Sequence, residues 1–390
     1  MQGNRIYLDH AATTPVDPVV REAMLPFLGA VHGNPSSIHR DGQAARRAID
    51  AARDALAAAL SCDASEVVFT SGGTEADNLA VLGVLLAARE EGRDHVVVAS
   101  AEHHAVLDAA EAAGRLFGCR TTVVPVDHRG VIDLEVLAAA VDDRTALVSV
   151  MHANNEIGSF NPVREIAEIA RARGARFHTD AVQSFGAVPV SFESTGADLI
   201  SVSAHKIYGP KGIGALALRS GTPIRNLQHG GGQERGRRTG TENIAGIAGF
   251  GAAATLLGEW RDAEYRRQSA LRDRFVASVA TRIPGTELNG DPTDRLPGNA
   301  NLAFPTGDAE TLLLALDMAG IAASAGSACA AGSLEPSHVL LATGMGMARA
   351  RRSIRFSLGR STSDADLDQV VDVLAGRLAV APGASRAPLA

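Results

Sequence analysis

The stretch that best indicates the fold is Val67-Val-Phe-Thr-Ser-Gly-Gly-Thr-Glu75, where an apolar run typical of a β-strand ends in a glycine-rich turn. A helical pattern follows over Thr74–Arg89, and the alternation of strand and helix then repeats. Further strands are predicted at His95–Ala99, Ala146–Val150, Ala175–Thr179 and Leu199–Val202, and further helices from about His104 and over Pro162–Arg173. Strands separated by helices of about 10–15 residues predict an α/β fold with a mostly parallel central sheet.

The pattern changes after Gly258. We expect a packed apolar helix over Ile244–Gly258 and a long charged helix over about Glu259–Arg282. Further strand and helix patterns continue to about Leu378. The sequence therefore predicts a large domain over 16–258 and a smaller α+β domain formed by 1–15 and 259–380, while 381–390 is predicted to be a disordered tail.

The composition argues against several classes of protein. The 390 residues are 46% hydrophobic, too apolar for a disordered chain, and the net charge of −7 with scattered signs argues against a nucleic-acid-binding surface. The sequence has no apolar run of 18 residues, so we expect no membrane span. Its three cysteines are widely separated and 1–10 shows no signal-peptide pattern, which favours a cytoplasmic protein without disulfides or a zinc site.

Lysine is almost missing from the sequence. Only Lys206 and Lys211 occur among 37 basic residues. A lysine amine can form an imine with a carbonyl compound, whereas the guanidinium of arginine cannot. Lys206 lies four residues beyond the end of the predicted strand Leu199–Val202, and ligands of such sheets bind at the carboxyl ends of the strands. Lys206 is therefore the candidate for chemistry, and Lys211 is interpreted as a loop cation.

Polar side chains follow each of the predicted central strands. Because the carboxyl ends of parallel strands share one edge of the sheet, a glycine-rich turn, an imidazole, an amide, a carboxylate and an amine should meet there. This set is what pyridoxal phosphate requires. The candidates are Lys206 for the aldehyde, Asp180 for the pyridine nitrogen, Gly73, Thr74, Ser203 and His205 for the phosphate, Gln183 for the ring hydroxyl and His103 for stacking on the ring.

The motifs resemble those of one family, the cysteine desulfurases of the NifS/IscS type, within the class V aminotransferase group of fold-type I pyridoxal-phosphate enzymes. The resemblance runs from about residue 5 to 360. It rests on Tyr7-Leu-Asp-His-Ala-Ala-Thr-Thr-Pro15, Gly33-Asn-Pro-Ser-Ser37, Thr70-Ser-Gly-Gly-Thr-Glu75, Glu102-His103, Met151-His-Ala-Asn-Asn-Glu-Ile-Gly158, His178-Thr-Asp-Ala-Val-Gln183, Ser203-Ala-His-Lys-Ile-Tyr-Gly-Pro-Lys-Gly212, His229-Gly-Gly-Gly-Gln-Glu-Arg-Gly236, Arg238-Thr-Gly-Thr-Glu-Asn243, Ser327-Ala-Cys329 and Ser353-Ile-Arg-Phe-Ser357.

The resemblance implies a role for each matching residue. Lys206 is then the Schiff-base lysine and His103 a stacking and proton-transfer group. Cys329 becomes the nucleophile that takes sulfur from L-cysteine, leaving L-alanine, and it could also be a transient Fe–S ligand shared with a scaffold protein. The remaining implied contacts are Gly73, Thr74, Ser203 and His205 to the phosphate, Asp180 and Gln183 to the ring, Asn155 to cofactor and substrate, Arg355 and Asn34 to the substrate, and Thr241 to the phosphate of a neighbouring subunit.

The implied partners follow from these roles. The resemblance implies a homodimer with shared sites and an acceptor protein for the sulfur, which could serve Fe–S cluster assembly, tRNA thiolation or DNA phosphorothioation. A selenocysteine lyase, or another class V lyase or aminotransferase, is the alternative enzyme. A non-catalytic binding protein of the same fold and a dinucleotide-binding protein are further alternatives, although no Gly-x-Gly-x-x-Gly follows a first strand.

Overall fold

The computed structural model describes residues 5–326 and 336–378. The predicted tail 381–390 and the predicted nucleophile Cys329 lie outside the described residues. Twelve strands occur in the described chain: β1 Ile6–Tyr7, β2 Val67–Thr70, β3 His95–Ala99, β4 Arg120–Val124, β5 Thr145–Ser149, β6 Arg176–Asp180, β7 Leu199–Ser203, β8 Gly214–Leu218, β9 Glu287–Asn289, β10 Asn299–Ala303, β11 Ile321–Ala322 and β12 Ser353–Ser357.

Twelve α-helices accompany these strands in the same residues. They are α1 Pro18–Met24, α2 Arg40–Leu60, α3 Gly73–Ala88, α4 His104–Phe117, α5 Leu134–Ala140, α6 Val163–Ala172, α7 Phe192–Thr195, α8 Ile244–Arg282, α9 Ala309–Met318, α10 His338–Ala342, α11 Met347–Ala350 and α12 Asp364–Leu378. None of them is both long enough and apolar enough to cross a membrane.

The central sheet has seven strands in the order β2-β8-β7-β6-β5-β3-β4. The pairs from β7 to β4 are all parallel, whereas β8 runs antiparallel to both β7 and β2. The prediction of an α/β fold with a mostly parallel sheet is therefore confirmed. The parallel run brings the carboxyl ends of β3, β5, β6 and β7 to one edge, where the polar side chains predicted from the sequence follow.

Helices cover the central sheet on both faces. Side chains alternate between the faces of a strand, so that Val67 and Phe69 of β2 pack in one core and Val68 packs in the other. The first core also contains side chains of α2, α5, α6 and the beginning of α8, and the second contains side chains of α3 and α4. This double covering explains why β2, β3, β5, β7 and β8 are buried along their whole length.

A third core lies around a smaller sheet. Strands β12, β10 and β9 form an antiparallel sheet in that order, while β1 pairs in parallel with β11. Their apolar side chains pack with α9, α12 and the last part of α8, from Leu271 onward. The N-terminal strand thus joins elements from the end of the chain, in line with the segments that we assign to a smaller domain.

The predicted division into two helices at Gly258 is wrong, because α8 runs without interruption from Ile244 to Arg282. A glycine inside a helix costs about 1 kcal/mol relative to alanine. Burial of both ends of α8 in different cores outweighs this cost. The boundary that we propose between the two domains therefore falls inside a continuous helix.

The bounds of three central strands also differ by one residue from the sequence prediction. Strand β5 covers Thr145–Ser149 and β6 covers Arg176–Asp180, each displaced by one residue. Asp180 is therefore the last residue of its strand, and Ser203 likewise ends β7. These side chains are fixed by the sheet and not by the loops that follow.

Candidate active site

A cleft of about 980 Å³ opens at the carboxyl ends of the parallel strands. It brings together ten of the residues predicted from the sequence. These are Gly73, Thr74, His103, Asn155, Asp180, Gln183, Ser203, His205, Lys206 and Arg355.

Lys206 reaches the cleft from a short 3₁₀ turn, Ala204–Lys206, that follows β7. Its Nζ donates hydrogen bonds to the carbonyl oxygens of Ala11 and Ala12, over 2.5 and 2.9 Å. The neighbouring His205 is held through Nδ1, 3.2 Å from Oγ1 of Thr13. Burial lowers the pKa of His205 to about 4, so that its imidazole is neutral near pH 7. The N-terminal segment therefore forms one wall around the amine.

Asp180 carries the carboxylate at the floor of the cleft and is 6% exposed. The backbone N–H of Val182 donates to its Oδ1 over 2.8 Å. Burial raises the pKa of Asp180, while this hydrogen bond and the neighbouring His103 and Lys206 oppose the rise. A buried carboxylate needs such partners to stay ionised, and a protonated ring nitrogen of a ligand would be a further one.

His103 lies at the N-terminus of α4, where its Nδ1 accepts a hydrogen bond from the backbone N–H of Ala105 over 3.1 Å. A ring nitrogen that accepts carries no proton, so the neutral ring has its proton on Nε2. Burial lowers the pKa of His103, and the nearby Lys206, His104 and His338 lower it further. His103 is therefore a neutral imidazole that can exchange a proton with a molecule in the cleft.

The second histidine of the pair, His104, also borders the cleft. Its ring lies 4.4 Å from the ring of His338, centre to centre, and its Nδ1 is 3.5 Å from Oδ1 of Asp108. His338 in turn lies with Nε2 2.9 Å from the backbone oxygen of Glu102. The two imidazoles thus form a pair beside His103.

The turn 71–74, predicted to bind phosphate, opens α3 and ends at Gly73 and Thr74 in the cleft. A side chain at Gly73 would collide with Val182, since a Cβ atom there would lie 2.9 Å from Cγ2. Opposite this turn, Oγ of Ser203 is buried and has no hydrogen-bond partner among residues 5–326 and 336–378. A buried hydroxyl without a partner beside a helix N-terminus suits an anionic ligand.

Arg355, in β12, is the cation on the opposite side of the cleft and is 2% exposed. Its Nη1 donates to the backbone oxygen of Asn155 over 3.0 Å, and its Nη2 donates to Oδ1 of Asp9 over 2.8 Å. Its Nε is buried without a hydrogen-bond partner in the part of the chain that the structure describes. Gln183 donates from Nε2 to the carbonyl oxygen of Ala11 over 2.9 Å.

Two predicted residues are not in this cleft. Thr241 lines a separate cavity of about 460 Å³ together with Ser71 and Arg238. Asn34 is exposed, and its Oδ1 accepts a hydrogen bond from the backbone N–H of Ser36 over 2.9 Å. The cleft of a single chain is therefore lined by neither Thr241 nor Asn34.

The sequence is similar to known proteins over most of its length. A family model described as Aminotransferase class-V matches residues 6–370. The chain belongs to the class-V aminotransferase family.

The names of individual similar proteins are more specific than the name of the family. The cysteine desulfurase IscS of Dictyoglomus turgidum is 48% identical over 369 residues, which are 95% of this chain and 93% of that protein. A solved structure of a NifS-like protein is 35% identical, with a TM-score of 0.90, and the match covers 96% of this chain and 99% of that one. A structure of SspA in complex with cysteine is 33% identical, with a TM-score of 0.79, and covers 91% and 99% of the two chains.

Several buried carboxyl groups at or near this cleft were not predicted from the sequence. Asp77 of α3 is 1% exposed, and Glu102 after β3 is fully buried. Burial raises the pKa of each, and the charge of Asp180 raises both further. Glu102 accepts a hydrogen bond from the backbone N–H of Met151 over 2.8 Å. Glu156 accepts a hydrogen bond from the hydroxyl group of Ser337. Glu102 and Glu156 stand in the quoted motifs and Asp77 does not, and only the fold shows that Asp77 and Glu102 lie close to Asp180.

The described part of the chain contains no cluster of side chains that is suited to bind a metal ion. Among residues 5–326 and 336–378, no group of three or more His, Cys, Asp or Glu side chains is arranged to hold a metal ion. The described cysteines, Cys62 and Cys119, are free thiols. A predicted Fe–S contact of Cys329 concerns a residue outside the described chain.

Proposed function

We propose that this chain is a pyridoxal-phosphate-dependent cysteine desulfurase that converts L-cysteine to L-alanine and takes up the sulfur as a persulfide on Cys329. The observation that carries the proposal is the convergence of Lys206, Asp180, His103 and Arg355 on one cleft. The names of the similar proteins favour this activity over a selenocysteine lyase or another class V lyase or aminotransferase.

The residues of the cleft fit pyridoxal phosphate, which members of the class-V aminotransferase family use. The phosphate would be held by the N-terminus of α3 at Gly73 and Thr74, with Ser203 and His205 beside it. The unsatisfied Oγ of Ser203 supports this assignment, because a phosphate oxygen is the kind of acceptor that it lacks. Gln183 would contact the ring hydroxyl, and His103 would stack on the ring.

Bound pyridoxal phosphate supplies a carbonyl carbon for covalent attachment and a ring that withdraws electrons from the substrate. Lys206 provides the amine for that attachment through Nζ. With the substrate held in the cleft, the same Nζ would be the base that accepts the substrate Cα proton. Asp180 would keep the ring nitrogen protonated, and His103 would be available to move protons through Nε2.

Arg355 and the neighbouring polar side chains would orient the substrate. The Nε of Arg355 can donate to a substrate carboxylate, and a planar guanidinium suits such an anion. Asn155 and Asn34 are the further substrate contacts that we propose. This orientation would keep the Cα proton toward Lys206.

The Cys329 thiolate then attacks the sulfur of the substrate. A sulfur–sulfur bond forms while the bond between Cβ and sulfur breaks, and its electron pair stays on Cβ. A proton delivered to Cβ completes the methyl group, Nζ of Lys206 returns the Cα proton, alanine leaves, and the sulfur remains on Cys329 as a persulfide. An acceptor protein takes the sulfur in a later step, for Fe–S cluster assembly, tRNA thiolation or DNA phosphorothioation.

We also propose a homodimer in which Thr241 of one subunit reaches the phosphate in the cleft of the other. The position of Thr241 outside its own cleft supports this arrangement. Val19, Leu28 and Ile38 are exposed apolar side chains, 57%, 68% and 93% exposed, and the burial of such groups favours association. The free thiols of Cys62 and Cys119 fit a reducing, cytoplasmic setting.

A direct assay tests the proposed activity. The purified protein is loaded with pyridoxal phosphate, freed of excess cofactor and mixed with L-cysteine and a thiol reductant. We expect a yellow protein that releases alanine and sulfide in equal amounts. L-Selenocysteine and L-alanine with a keto acid are the alternative substrates. A protein that binds the cofactor but forms no alanine from L-cysteine would contradict the proposal.

A further inference from the structure

A buried ion pair lies behind the phosphate end of the cleft. Arg53 of α2 and Glu234 are 4% and 6% exposed. Nη1 and Nη2 of the arginine donate to Oε2 and Oε1 of the glutamate over 2.8 and 2.7 Å. This bidentate geometry is the strongest form of a contact between guanidinium and carboxylate. Neither residue has a role that was predicted from the sequence.

Both members of the pair are also bound to strand β2. Nη1 of Arg53 donates to the carbonyl oxygen of Val67 over 2.7 Å, and the backbone N–H of Phe69 donates to Oε2 of Glu234 over 2.9 Å. The guanidinium lies over the ring of Phe69, 4.7 Å from its centre. Because β2 leads directly into the turn 71–74, the ion pair is joined to the strand that carries this turn.

Glu234 belongs to the glycine-rich loop, which we define as residues 228–243. Its φ is +43° and that of Arg235 is +57°, so two successive non-glycine residues adopt the left-handed conformation. This conformation is unfavourable for residues with a Cβ and persists only where surrounding contacts enforce it. The contacts of Glu234 with Arg53 and Phe69 provide that enforcement.

A second ion pair joins the glycine-rich loop to the turn itself. Nε of Arg238 donates to Oε1 of Glu75 over 2.9 Å, and the backbone N–H of Ser71 donates to Oε2 of the same glutamate over 2.8 Å. The loop is thus attached on both sides of the turn, through Glu234 before it and through Arg238 after it. Thr241 follows three residues after this second attachment.

We propose that Arg53 and Glu234 are positioning residues that hold the glycine-rich loop against the turn 71–74 and so preorganise the phosphate end of the cleft. The proposal rests on the proposed function, because it takes the ligand of this turn to be the phosphate of pyridoxal phosphate. Neither side chain borders the cleft, so both act through the turn and the loop. Their loss should weaken binding of the phosphate group more than binding of the ring.

The test uses the double variant Arg53→Met/Glu234→Leu in the full chain. Removing both charges avoids an uncompensated buried ion, and such replacements of a buried pair are often tolerated. The first measurement is the ratio of the affinity for pyridoxal phosphate to the affinity for pyridoxal, which reports on binding of the phosphate group. The second is the rate of tryptic cleavage after Arg235, Arg237 and Arg238 in the protein without cofactor. We expect the ratio to fall roughly tenfold, as for the loss of a hydrogen bond to a charged group, and cleavage to become faster.

Arg272→Met is the matched control. Arg272 is also a buried arginine, 6% exposed, with Nη1 donating to the backbone oxygen of Leu296 over 3.0 Å. This variant should have a lower melting temperature but an unchanged affinity ratio and unchanged cleavage in the loop. If the double variant does not fold, Arg53→Lys replaces it, since lysine keeps the charge but loses the bidentate geometry.

A folded variant with the parental affinity ratio and parental cleavage rate would overturn the inference. A lowered melting temperature without either change would also overturn it, since the pair would then act on stability alone. If the parent itself did not bind pyridoxal phosphate, the proposed function would fail, and with it the assigned ligand. The cleavage rates would still decide separately whether the pair anchors the loop.

Discussion

Nη2 of Arg355 donates a hydrogen bond to Oδ1 of Asp9 over 2.8 Å, which joins strand β12 to the N-terminal segment at the edge of the cleft. The arginine is almost fully buried, whereas the side chain of Asp9 is 21% exposed. Asp9 therefore compensates the buried charge of Arg355 and fixes its orientation. Nε of the guanidinium remains available for a substrate carboxylate.

Replacement of this arginine should affect substrate binding more than the chemical step. In Arg355→Lys the charge stays, but an ammonium group cannot reproduce the fixed directions of the guanidinium N–H groups. We expect KM for L-cysteine to rise about tenfold to a hundredfold, as for the loss of a hydrogen bond to a charged group, with a smaller change in kcat. Steady-state kinetics measure both constants. Arg351→Lys, at an exposed position, is the control, and an unchanged KM in Arg355→Lys would contradict the assigned role.

The scarcity of lysine allows an unambiguous test of the attachment site. Lys206 and Lys211 are the two lysines of the sequence. After reduction of the cofactor-loaded protein with borohydride, peptide mass spectrometry should find the label on Lys206. The variant Lys211→Arg should be labelled like the parent, whereas Lys206→Arg should carry no label. Label on Lys211 in the parent protein would show that the assignment of the two lysines is wrong.

Cys329 should be needed for sulfur uptake but not for cofactor binding. We expect Cys329→Ser to keep the cofactor absorption of the parent and to form no protein persulfide with L-cysteine. Persulfide is measured by alkylation and mass spectrometry. Cys62→Ser is the control, because burial raises the pKa of the Cys62 thiol to about 12 and leaves almost no thiolate at neutral pH. Parental persulfide formation in Cys329→Ser would exclude this residue as the nucleophile.

Acid should destabilise the protein through His178, which lies between Ser149 and Ser201 at 2.8 and 2.9 Å. Burial lowers its pKa from 6.5 to about 3. Below pH 6.5 the unfolded chain binds a proton here that the folded chain does not bind until about pH 3, so stability falls as the pH falls through this range. At pH 5 this effect amounts to about 2 kcal/mol.

The variant His178→Gln should therefore lose less stability than the parent between pH 7.5 and pH 5. Urea unfolding at the two pH values gives the free energies of unfolding. His128→Gln, at an exposed position, should behave like the parent. An equal loss of stability in His178→Gln and the parent would show that His178 is not kept neutral by burial.

Much of the central fold could be predicted because its signals are local. The strands Val67–Thr70 and His95–Ala99 have the predicted bounds, since each is a short apolar run that ends at polar residues. The continuity of α8 through Gly258 could not be predicted, because it depends on two cores that residues distant in the sequence create. Local propensity indicated a break, and tertiary packing outweighed it.

The candidate site shows the same division. Gly73, Asp180, Ser203 and Lys206 were predictable because each lies at or just after a strand, and the ends of parallel strands meet at one edge. Asp9 and Asp77 were not given roles, since their importance depends on contacts with Arg355 and on burial next to Asp180. Such contacts leave no periodic pattern in the chain.

By itself, then, the sequence determined the order of strands and helices, the identity of the amine and carboxylate at the strand ends, and the resemblance to a family. These depend on hydrophobic periodicity and on short motifs, which are local properties of the chain. Only the tertiary structure decided that the carbonyl oxygens of Ala11 and Ala12 bind Lys206 and that Arg53 and Glu234 join α2 to the glycine-rich loop. The reason is physical: burial and hydrogen bonding between distant segments arise only when the chain has packed.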